Sequence, residues 1–487
     1  MTSPSPTEAH RTPGPDLLAA LPPGERHALA RLTQAFSESG QHLALVGGIV
    51  RDYLLGSGLP TDLDITTSAP PEETRRLGTA AGATTIYDVG EKFGTIGLVF
   101  PNETDPSGPA IVVEVTTYRS EHYPDDTRKP AVVLGGSLVD DLARRDFTAN
   151  AIAFDLRSHE IVDPFEGQAD LHRGIIRAVG EPDVRFQEDP LRLLRAARFV
   201  ARLGFFIEAG TAAAILRQAE SLGRISQERI YAELTKLLIG PYAGHGLDAL
   251  LDGGLFTIAL PELRRFAAEA TAARGPHREK DLWDHTLRVV ERTPPRPIVR
   301  WAALLHDAAK PQTRSLDSSG EVHFFGHERE GAEIARKVLT RLKADKETRE
   351  SVTRLVELHL RPAVYETDWT DSAVRRLTLD ADRVLDDLLD LAAADVTSAR
   401  EQKQRDAAVR IASLRGRIAQ LEAEHALAEF KSPLDGEDLM RMFDRPPGRW
   451  IAVIKHHLRE LVVDGELPPG DRAGAAIIAR ELEAANR

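Results

Sequence analysis

Segments rich in β-branched residues are confined to the first third of the chain. The runs at 94–100 and 111–117 are typical of short strands, because valine, isoleucine and threonine favour a pleated, half-buried surface, and the apolar run 42–46 predicts a short buried strand before them. The strand signal fades after residue 167, and from Asp189 onward nearly every segment has the apolar spacing of a helix. This change of period predicts an α+β chain, with a mixed sheet and its helices first and helical units after it.

The composition excludes several classes of site. The absence of cysteine rules out a disulfide scaffold, a thiolate zinc site, an iron–sulfur cluster and cysteine catalysis, and it favours a reducing cytoplasm. No apolar run approaches the roughly 18 residues of a membrane span, and the N-terminus has no signal-peptide pattern, so we expect a cytoplasmic protein without a membrane partner. The net charge of −13 argues against non-specific nucleic-acid binding, and we expect no DNA partner; a local basic groove remains compatible with it.

The length and the breaks in the pattern predict several domains. A chain of 487 residues corresponds to about three domains at roughly 150 residues each. Breaks rich in glycine, proline and serine supply the boundaries. The predicted segments are a disordered N-terminus (1–24), an α/β head (25–160), an all-α neck and body (161–271), a second all-α domain (272–400) and a helical C-terminal tail (401–487).

A glycine pair follows the first predicted strand. Gly47 and Gly48 form a turn without Cβ atoms, which lets backbone N–H groups approach a phosphate at the start of the next helix. Arg51, one helical turn later, could reach the same anion. The alternative is an ordinary structural turn.

Three carboxylates are candidate ligands for Mg²⁺. Asp62 and Asp64 are two residues apart, so on a strand their side chains share one face, where a divalent cation would relieve their repulsion. Glu114, in the middle of an apolar strand, is the candidate third ligand. Such a set can activate a 3′-hydroxyl and hold a triphosphate for in-line attack. The alternatives are loop caps for the aspartates and a strand-edge salt bridge for Glu114.

Two arginines and an aspartate follow the strand region. Arg144 and Arg145 can bind phosphate oxygens through their guanidinium forks, while the Asp146 carboxylate can accept a hydrogen bond from a ribose hydroxyl. A solvated surface ion pair is the alternative interpretation.

A locally basic helix begins near Asp189. The Watson–Crick edges of C and A present an amino donor beside a ring-nitrogen acceptor, whereas G and U present the reverse pattern. Asp189 only accepts and Arg192 only donates, so the pair would select CTP and ATP without a nucleic-acid template. Arg195 and Arg198 continue the spacing of three and are candidate nucleotide contacts. The alternatives are an N-cap role for Asp189, with Pro190 at the first helical position, and carboxylate pairing for the last two arginines.

Three ordered motifs resemble one enzyme family. The segment 45–56 with Asp62-Leu-Asp64, the segment 144–151 and the segment 188–199 are similar to the class II tRNA nucleotidyltransferase/poly(A) polymerase family, within the DNA polymerase beta superfamily. The resemblance covers about residues 40–262 and implies a polymerase-beta-like nucleotidyltransferase head. It also implies that Arg145 contacts the nucleotide, that Asp146 holds the ribose, and that the pair at the third motif reads the base.

Six residues of the second helical domain form another candidate site. Their order in the chain resembles the HD superfamily of metal-dependent phosphohydrolases. Imidazole and carboxylate without thiolate suit a divalent or transition metal that activates water on a phosphoester. Hydrogen-bonded core histidines are the alternative. The candidate ligands are His285, His306, Asp307, His327, His359 and Asp395, and the third and fourth histidines of the set would serve a second metal.

The expected activity is template-independent addition of CCA to the 3′ end of tRNA from CTP and ATP. A poly(A) polymerase with the same head is the nearest alternative, and enzymes that add only CC or only A also fit. A phosphohydrolase whose head only binds RNA is the alternative from another class. Residues 401–487 resemble the family's tRNA-binding tail, with helical packing or dimerisation as the other interpretation.

Overall fold

The structure is a computed structural model that describes residues 11–13, 17–58, 63–90, 94–122, 131–272, 282–396, 401–423 and 432–485. It divides into two compact units, Met1–Ala259 and Leu260–Arg487. Among the described residues, no helix has both the length and the apolar character needed to cross a bilayer.

The first unit contains the strands and a series of helices. Its strands are β1 (Arg11–Pro13), β2 (Leu43–Val46), β3 (Leu63–Thr67), β4 (Thr85–Gly90), β5 (Thr95–Phe100), β6 (Ile111–Thr117), β7 (Arg119–His122), β8 (Ala131–Leu134), β9 (Ala153–Asp155), β10 (Glu160–Val162), β11 (Ile175–Ile176) and β12 (Phe206–Ile207). Its helices are α1 (Leu17–Ala20), α2 (Pro23–Glu38), α3 (Gly48–Leu54), α4 (Pro71–Ala80), α5 (Leu138–Ala143), α6 (Gly167–Arg173), α7 (Pro182–Glu188), α8 (Leu191–Leu203), α9 (Ala209–Gln218), α10 (Gln227–Leu238), α11 (Ala243–Asp252) and α12 (Phe256–Ala259).

Eight strands of the described residues form one sheet in the order β1-β10-β9-β2-β3-β6-β5-β4. Strands β3 and β6 are parallel, and the other neighbouring pairs are antiparallel. One face of the sheet is apolar and buried in the core with α2, so Leu63, Ile65, Val113 and Val115 alternate with residues that point to the opposite face. On β3 and β6 this alternation leaves Asp64 and Glu114 on the second face, where β2, β9 and β10 carry a separate buried apolar cluster.

The expectation that residues 1–24 are disordered is wrong for part of that segment. Strand β1 pairs antiparallel with β10, and Leu17 and Leu21 are buried in the core of the sheet unit. Two leucines without a helical period give no periodic signal in the sequence, yet burying them stabilises the segment. Residues 1–10 and 14–16 lie outside the described residues.

The second unit is helical apart from a hairpin of two two-residue strands, β13 (Ser315–Leu316) and β14 (Val322–His323). Its helices are α13 (Arg264–Ala272), α14 (Leu282–Arg292), α15 (Pro297–Leu305), α16 (Lys310–Thr313), α17 (His327–Arg341), α18 (Lys346–Leu358), α19 (Asp371–Ala381), α20 (Leu385–Asp395), α21 (Glu401–Ala423), α22 (Gly436–Phe443), α23 (Arg449–Asp464) and α24 (Arg472–Ala485). The predicted α+β architecture, with a mixed sheet first and helical units after it, is confirmed.

Candidate functional site

Two carboxylates lie side by side on the face of the sheet opposite the core that contains α2. Asp64 on β3 is the register partner of Glu114 on the parallel strand β6. The neighbours of Asp64, Leu63 and Ile65, point into the core, which fixes the Asp64 side chain on the other face. Asp64 is exposed and Glu114 is half-buried, so both can be reached from solvent. Asp62 lies outside the described residues.

The glycine turn brings an arginine close to this carboxylate pair. Gly47 has φ 73° and caps α3, a backbone conformation that L side chains rarely adopt. A Cβ atom built on Gly47 would lie 3.3 Å from Arg145 Nη1 and 4.0 Å from Asp64 Oδ2. A Cβ on Gly48 would lie 3.7 Å from Arg51 Nη2. The turn therefore leaves room between a cation and a carboxylate that a side chain would fill.

The structure places Arg51 inside the protein. Its Nε and Nη2 contact Asp52 Oδ1 at 2.8 and 2.7 Å, and its Nη1 donates to Asn150 Oδ1 at 2.6 Å. The residue is 5% exposed. These contacts join α3 to the turn that contains Asn150, and the expected contact of Arg51 with a phosphate remains a prediction.

Asp141 is a buried carboxylate that the sequence analysis missed. Its Oδ1 accepts hydrogen bonds from Arg144 Nε and Nη2 at 2.9 and 2.6 Å, and its Oδ2 accepts from Arg145 Nη2 at 3.2 Å and Thr66 Oγ1 at 3.1 Å. Burial would raise the pKa of Asp141, but the charges and hydrogen bonds of the two arginines hold it below its ordinary value. Arg144 caps the C-terminus of α5 and Arg145 follows it, so the spacing of three and four residues across this helix end could have revealed the contact. Asp141 thus joins the strand that carries Asp64 to Arg145.

On the sequence prediction that Arg145 contacts a nucleotide, replacing Asp141 by asparagine is expected to raise the KM for that nucleotide more than it lowers kcat, because Arg145 loses its anionic partner. It should also cost on the order of 3 kcal/mol in the free energy of unfolding, since a buried charge pair is broken. Steady-state kinetics and urea denaturation measure the two effects. Asp140→Asn is the matched control, because Asp140 on the same helix only caps its first turn through Ser137. A normal nucleotide KM in the Asp141 variant would contradict this role.

Both carboxylate oxygens of Asp146 accept hydrogen bonds from other groups of the protein. Its Oδ1 accepts from the Phe147 N–H at 2.8 Å and from Asn150 Nδ2 at 3.0 Å, and its Oδ2 accepts from Arg195 Nε at 2.7 Å. Burial opposes ionisation, but the Arg195 charge and these hydrogen bonds hold the pKa of Asp146 well below its ordinary value. The structure places Asp146 as the partner of Arg195, and a ribose hydroxyl would have to displace one of these donors. The expected ribose contact remains a prediction.

Asp189 and Arg192 lie at the corner between α7 and α8. Helix α8 begins at Leu191 with Pro190 as its N-cap, one residue later than the predicted Asp189 cap. Asp189 Oδ1 nevertheless accepts from the Leu191 N–H at 3.1 Å, which is a capping type of contact. Arg192 is 8% exposed.

Three of the five N–H groups of Arg192 are held by the protein. Its Nη1 donates to Glu188 Oε2 at 2.7 Å and to the Arg185 carbonyl at 3.1 Å, and its Nη2 donates to the Arg144 carbonyl at 2.8 Å. The guanidinium therefore has a fixed orientation at the corner, next to the second motif.

Arg195 and Arg198 both pair with carboxylates, the alternative that the sequence left open. Arg195 pairs with Asp146, and Arg198 Nε lies 2.8 Å from Glu233 Oε2 on α10. Both guanidinium groups also lie over the ring of Phe199, at 5.5 and 4.4 Å from its centroid. Their contacts with a nucleotide remain predictions.

The six residues expected to form a metal centre come together in the second unit. Two groups of three have ligand atoms within 4.8 Å of one another: His285, His306 and Asp395, and Asp307, His327 and His359. Asp307 belongs to the second group and also contacts the two histidines of the first. Its Oδ2 is 3.2 Å from both His285 Nε2 and His306 Nε2, and its Oδ1 is 3.5 Å from His327 Nε2.

Backbone carbonyls orient three of these imidazoles. The Nδ1 atoms of His306, His327 and His359 contact the carbonyls of Ala303, Phe324 and Val356 at 2.8, 2.7 and 2.6 Å. A proton on Nδ1 leaves each Nε2 lone pair directed at the centre, as in metal-binding histidines.

Three buried atoms of this centre have no hydrogen-bond partner among the described residues: Asp307 Oδ1, His327 Nε2 and His359 Nε2. Burial would lower the pKa of His306, but the charge of Asp307 and hydrogen bonds to it and to Asp395 raise the pKa to about 10. Without a cation, a proton on His306 offsets the clustered acceptors. Imidazole nitrogens with a shared carboxylate are suitable ligands for divalent transition metals, so these residues could form a metal centre.

Family descriptions match three consecutive parts of the chain. Residues 43–177 match a "Poly A polymerase head domain", residues 204–266 match a "Probable RNA and SrmB- binding site of polymerase A", and residues 282–400 match an "HD domain".

Named relatives add a second line of similarity. The CCA-adding enzyme of Geobacillus kaustophilus is 39% identical over 307 residues, which are 62% of this chain and 70% of the relative. The A-adding tRNA nucleotidyltransferase of Deinococcus radiodurans is 32% identical over 453 residues, 89% of this chain and 94% of the relative. The crystal structure of the Bacillus stearothermophilus CCA-adding enzyme in complex with CTP aligns with a TM-score of 0.66 and 28% identity, over 96% of this chain and all of that one.

Proposed function

The chain belongs to the class II tRNA nucleotidyltransferase/poly(A) polymerase family, and from this we propose that it adds CCA to the 3′ end of tRNA from CTP and ATP without a nucleic-acid template. The observation that carries the proposal is the meeting of Asp64 and Glu114 with the Gly47 turn and Arg145 on one face of the sheet. Carboxylates beside a glycine turn and an arginine suit a metal-bound triphosphate.

Asp64 and Asp62 would hold Mg²⁺, with Glu114 as a third carboxylate. A divalent cation bound there supplies charge neutralisation for in-line transfer of a nucleotidyl group. Arg145, oriented by Asp141, would bind phosphate oxygens at the Gly47 turn.

Base selection would come from the corner between α7 and α8. The Asp189 carboxylate would accept from the amino group of C or A, and Arg192 would donate to the ring nitrogen. G and U would place donor against donor and acceptor against acceptor, which a site rejects strongly once water is excluded.

Addition of A alone is a second candidate, because the Deinococcus radiodurans relative named for A addition is covered over 94% of its length. A poly(A) polymerase is less favoured, since the relatives are named a CCA-adding enzyme and an A-adding tRNA nucleotidyltransferase.

Primer extension on two tRNA transcripts tests these candidates, one lacking CCA and one ending in CC. Each transcript is incubated with Mg²⁺ and CTP, ATP or both, and the product ends are sequenced. When CTP and ATP are both present, we expect extension of both transcripts to stop at CCA. Extension of only the CC transcript, by a single A, would establish A addition, and long oligo(A) would establish a poly(A) polymerase.

The second unit would hold up to two divalent cations for phosphoester hydrolysis, as an accessory activity. His285, His306 and Asp395 would bind one cation with Asp307 Oδ2, and His327 and His359 would bind another with Asp307 Oδ1. The buried atoms without partners at Asp307, His327 and His359 support the second position.

A further inference from the structure

We propose that Arg229 is a positioning residue for base selection, an inference that rests on the proposed base-reading role of Asp189. Arg229 lies in the first turn of α10, and its Nη2 donates to Asp189 Oδ2 at 2.9 Å. Arg229 lies outside the motifs at 45–64, 144–151 and 188–199, and its contact joins residues 40 positions apart in the chain.

The two halves of the base-reading pair are held by different parts of the unit. Arg192 is held by Glu188, by the Arg185 carbonyl and by the Arg144 carbonyl. Among the described residues, the Asp189 carboxylate accepts hydrogen bonds from the Leu191 N–H on Oδ1 and from Arg229 on Oδ2. Loss of Arg229 therefore acts on the carboxylate and leaves the contacts of Arg192 intact.

Two anchors fix the plane of the carboxylate, whereas one leaves it free to turn about its Cβ–Cγ bond. Selection against U and G depends on an acceptor that stays opposite their carbonyl oxygens and cannot turn away. A carboxylate held only by the Leu191 N–H could rotate and relieve that repulsion, while C and A would lose part of a well-oriented hydrogen bond. Arg229 thus sharpens selection without touching the nucleotide.

The test is the ratio of kcat/KM for CTP to that for UTP on one tRNA transcript, so that effects on tRNA binding cancel. Arg229→Leu is expected to lower this ratio roughly ten-fold, the scale of one hydrogen bond to a charged group. Arg229→Lys should restore most of the ratio, because an ammonium can still reach the carboxylate.

Arg217→Leu is the matched control. The Arg217 side chain is 58% exposed and pairs with Asp183 on α7. The Arg229 side chain is 51% exposed and pairs with Asp189, the residue that follows α7. Removal of Arg217 should leave the CTP-to-UTP ratio unchanged, and thermal unfolding should show that all variants are folded.

Asp189→Ala, measured in the same assay, separates the base-reading role of Asp189 from the positioning role of Arg229. A relaxed ratio in both Asp189→Ala and Arg229→Leu supports the inference. A relaxed ratio in Asp189→Ala with a ratio within two-fold of wild type in Arg229→Leu overturns the role of Arg229 alone. An unchanged ratio in Asp189→Ala overturns base reading by Asp189, and the inference with it.

Discussion

Replacing Asp64 by alanine is expected to lower the rate of CTP incorporation by at least roughly 1000-fold, because a metal-bound triphosphate loses several kcal/mol of charge stabilisation with its ligand. The side chain is exposed and its neighbours keep the strand in the core, so the free energy of unfolding should change by less than about 0.5 kcal/mol. Single-turnover incorporation of CTP and urea denaturation measure the two quantities.

Asp88→Ala is the matched control for this variant. Asp88 is a carboxylate of the same sheet, on β4, and pairs with Arg75 instead of approaching the glycine turn. It should leave incorporation unchanged. CTP incorporation that survives in the Asp64 variant would mean that another group binds the metal.

Replacing Asp307 by asparagine is expected to abolish metal binding at the proposed centre of the second unit while CTP incorporation continues. The carboxylate contacts His285 and His306 through one oxygen and faces His327 and His359 through the other. An amide has a similar shape but no charge, and its nitrogen cannot act as a ligand. We expect the bound metal, measured by mass spectrometry after dialysis, to fall at least ten-fold. Hydrolysis of a model phosphoester should be lost with it.

The comparison variant for the metal centre is Asp317→Asn. Asp317 lies near Glu321 and His323 on the hairpin of β13 and β14, in a third group of candidate ligands that is largely exposed. Its metal content should equal that of the wild type. An Asp307 variant that retains its metal would contradict the shared-carboxylate arrangement, and lost CTP incorporation would contradict the independence of the two activities.

The sequence predicted the architecture well wherever its signal was periodic. The run 111–117 coincides with β6, and 42–46 and 94–100 contain β2 and β5. Isolated apolar residues were less informative, as Leu17 and Leu21 show, because their burial depends on which distant strands lie next to them. Within the predicted helical tail, a capping box at Asp435 starts the short helix α22.

In the candidate sites too, the sequence was informative where residues follow a pattern and uninformative where contacts depend on distant packing. The order of six histidines and aspartates indicated a cluster because it resembles the HD superfamily, and the structure brings all six together. The partners of Arg195 and Arg229 could not be predicted. Asp146 holds Arg195, and Asp189 meets Arg229, because these contacts depend on how helices and the head pack and not on spacing within one helix.

The parallel pairing of β3 and β6 has a consequence for how this enzyme can diversify. Asp64 and Glu114 are neighbours through the register of two adjacent strands, and α4, β4 and β5 connect those strands along the chain. Insertions or deletions in the intervening loops therefore leave the carboxylate pair where it is, whereas a shift of one residue within either strand would turn a carboxylate into the core. Loop exchange between homologues should be tolerated at these connections, while the carboxylate pair stays in register.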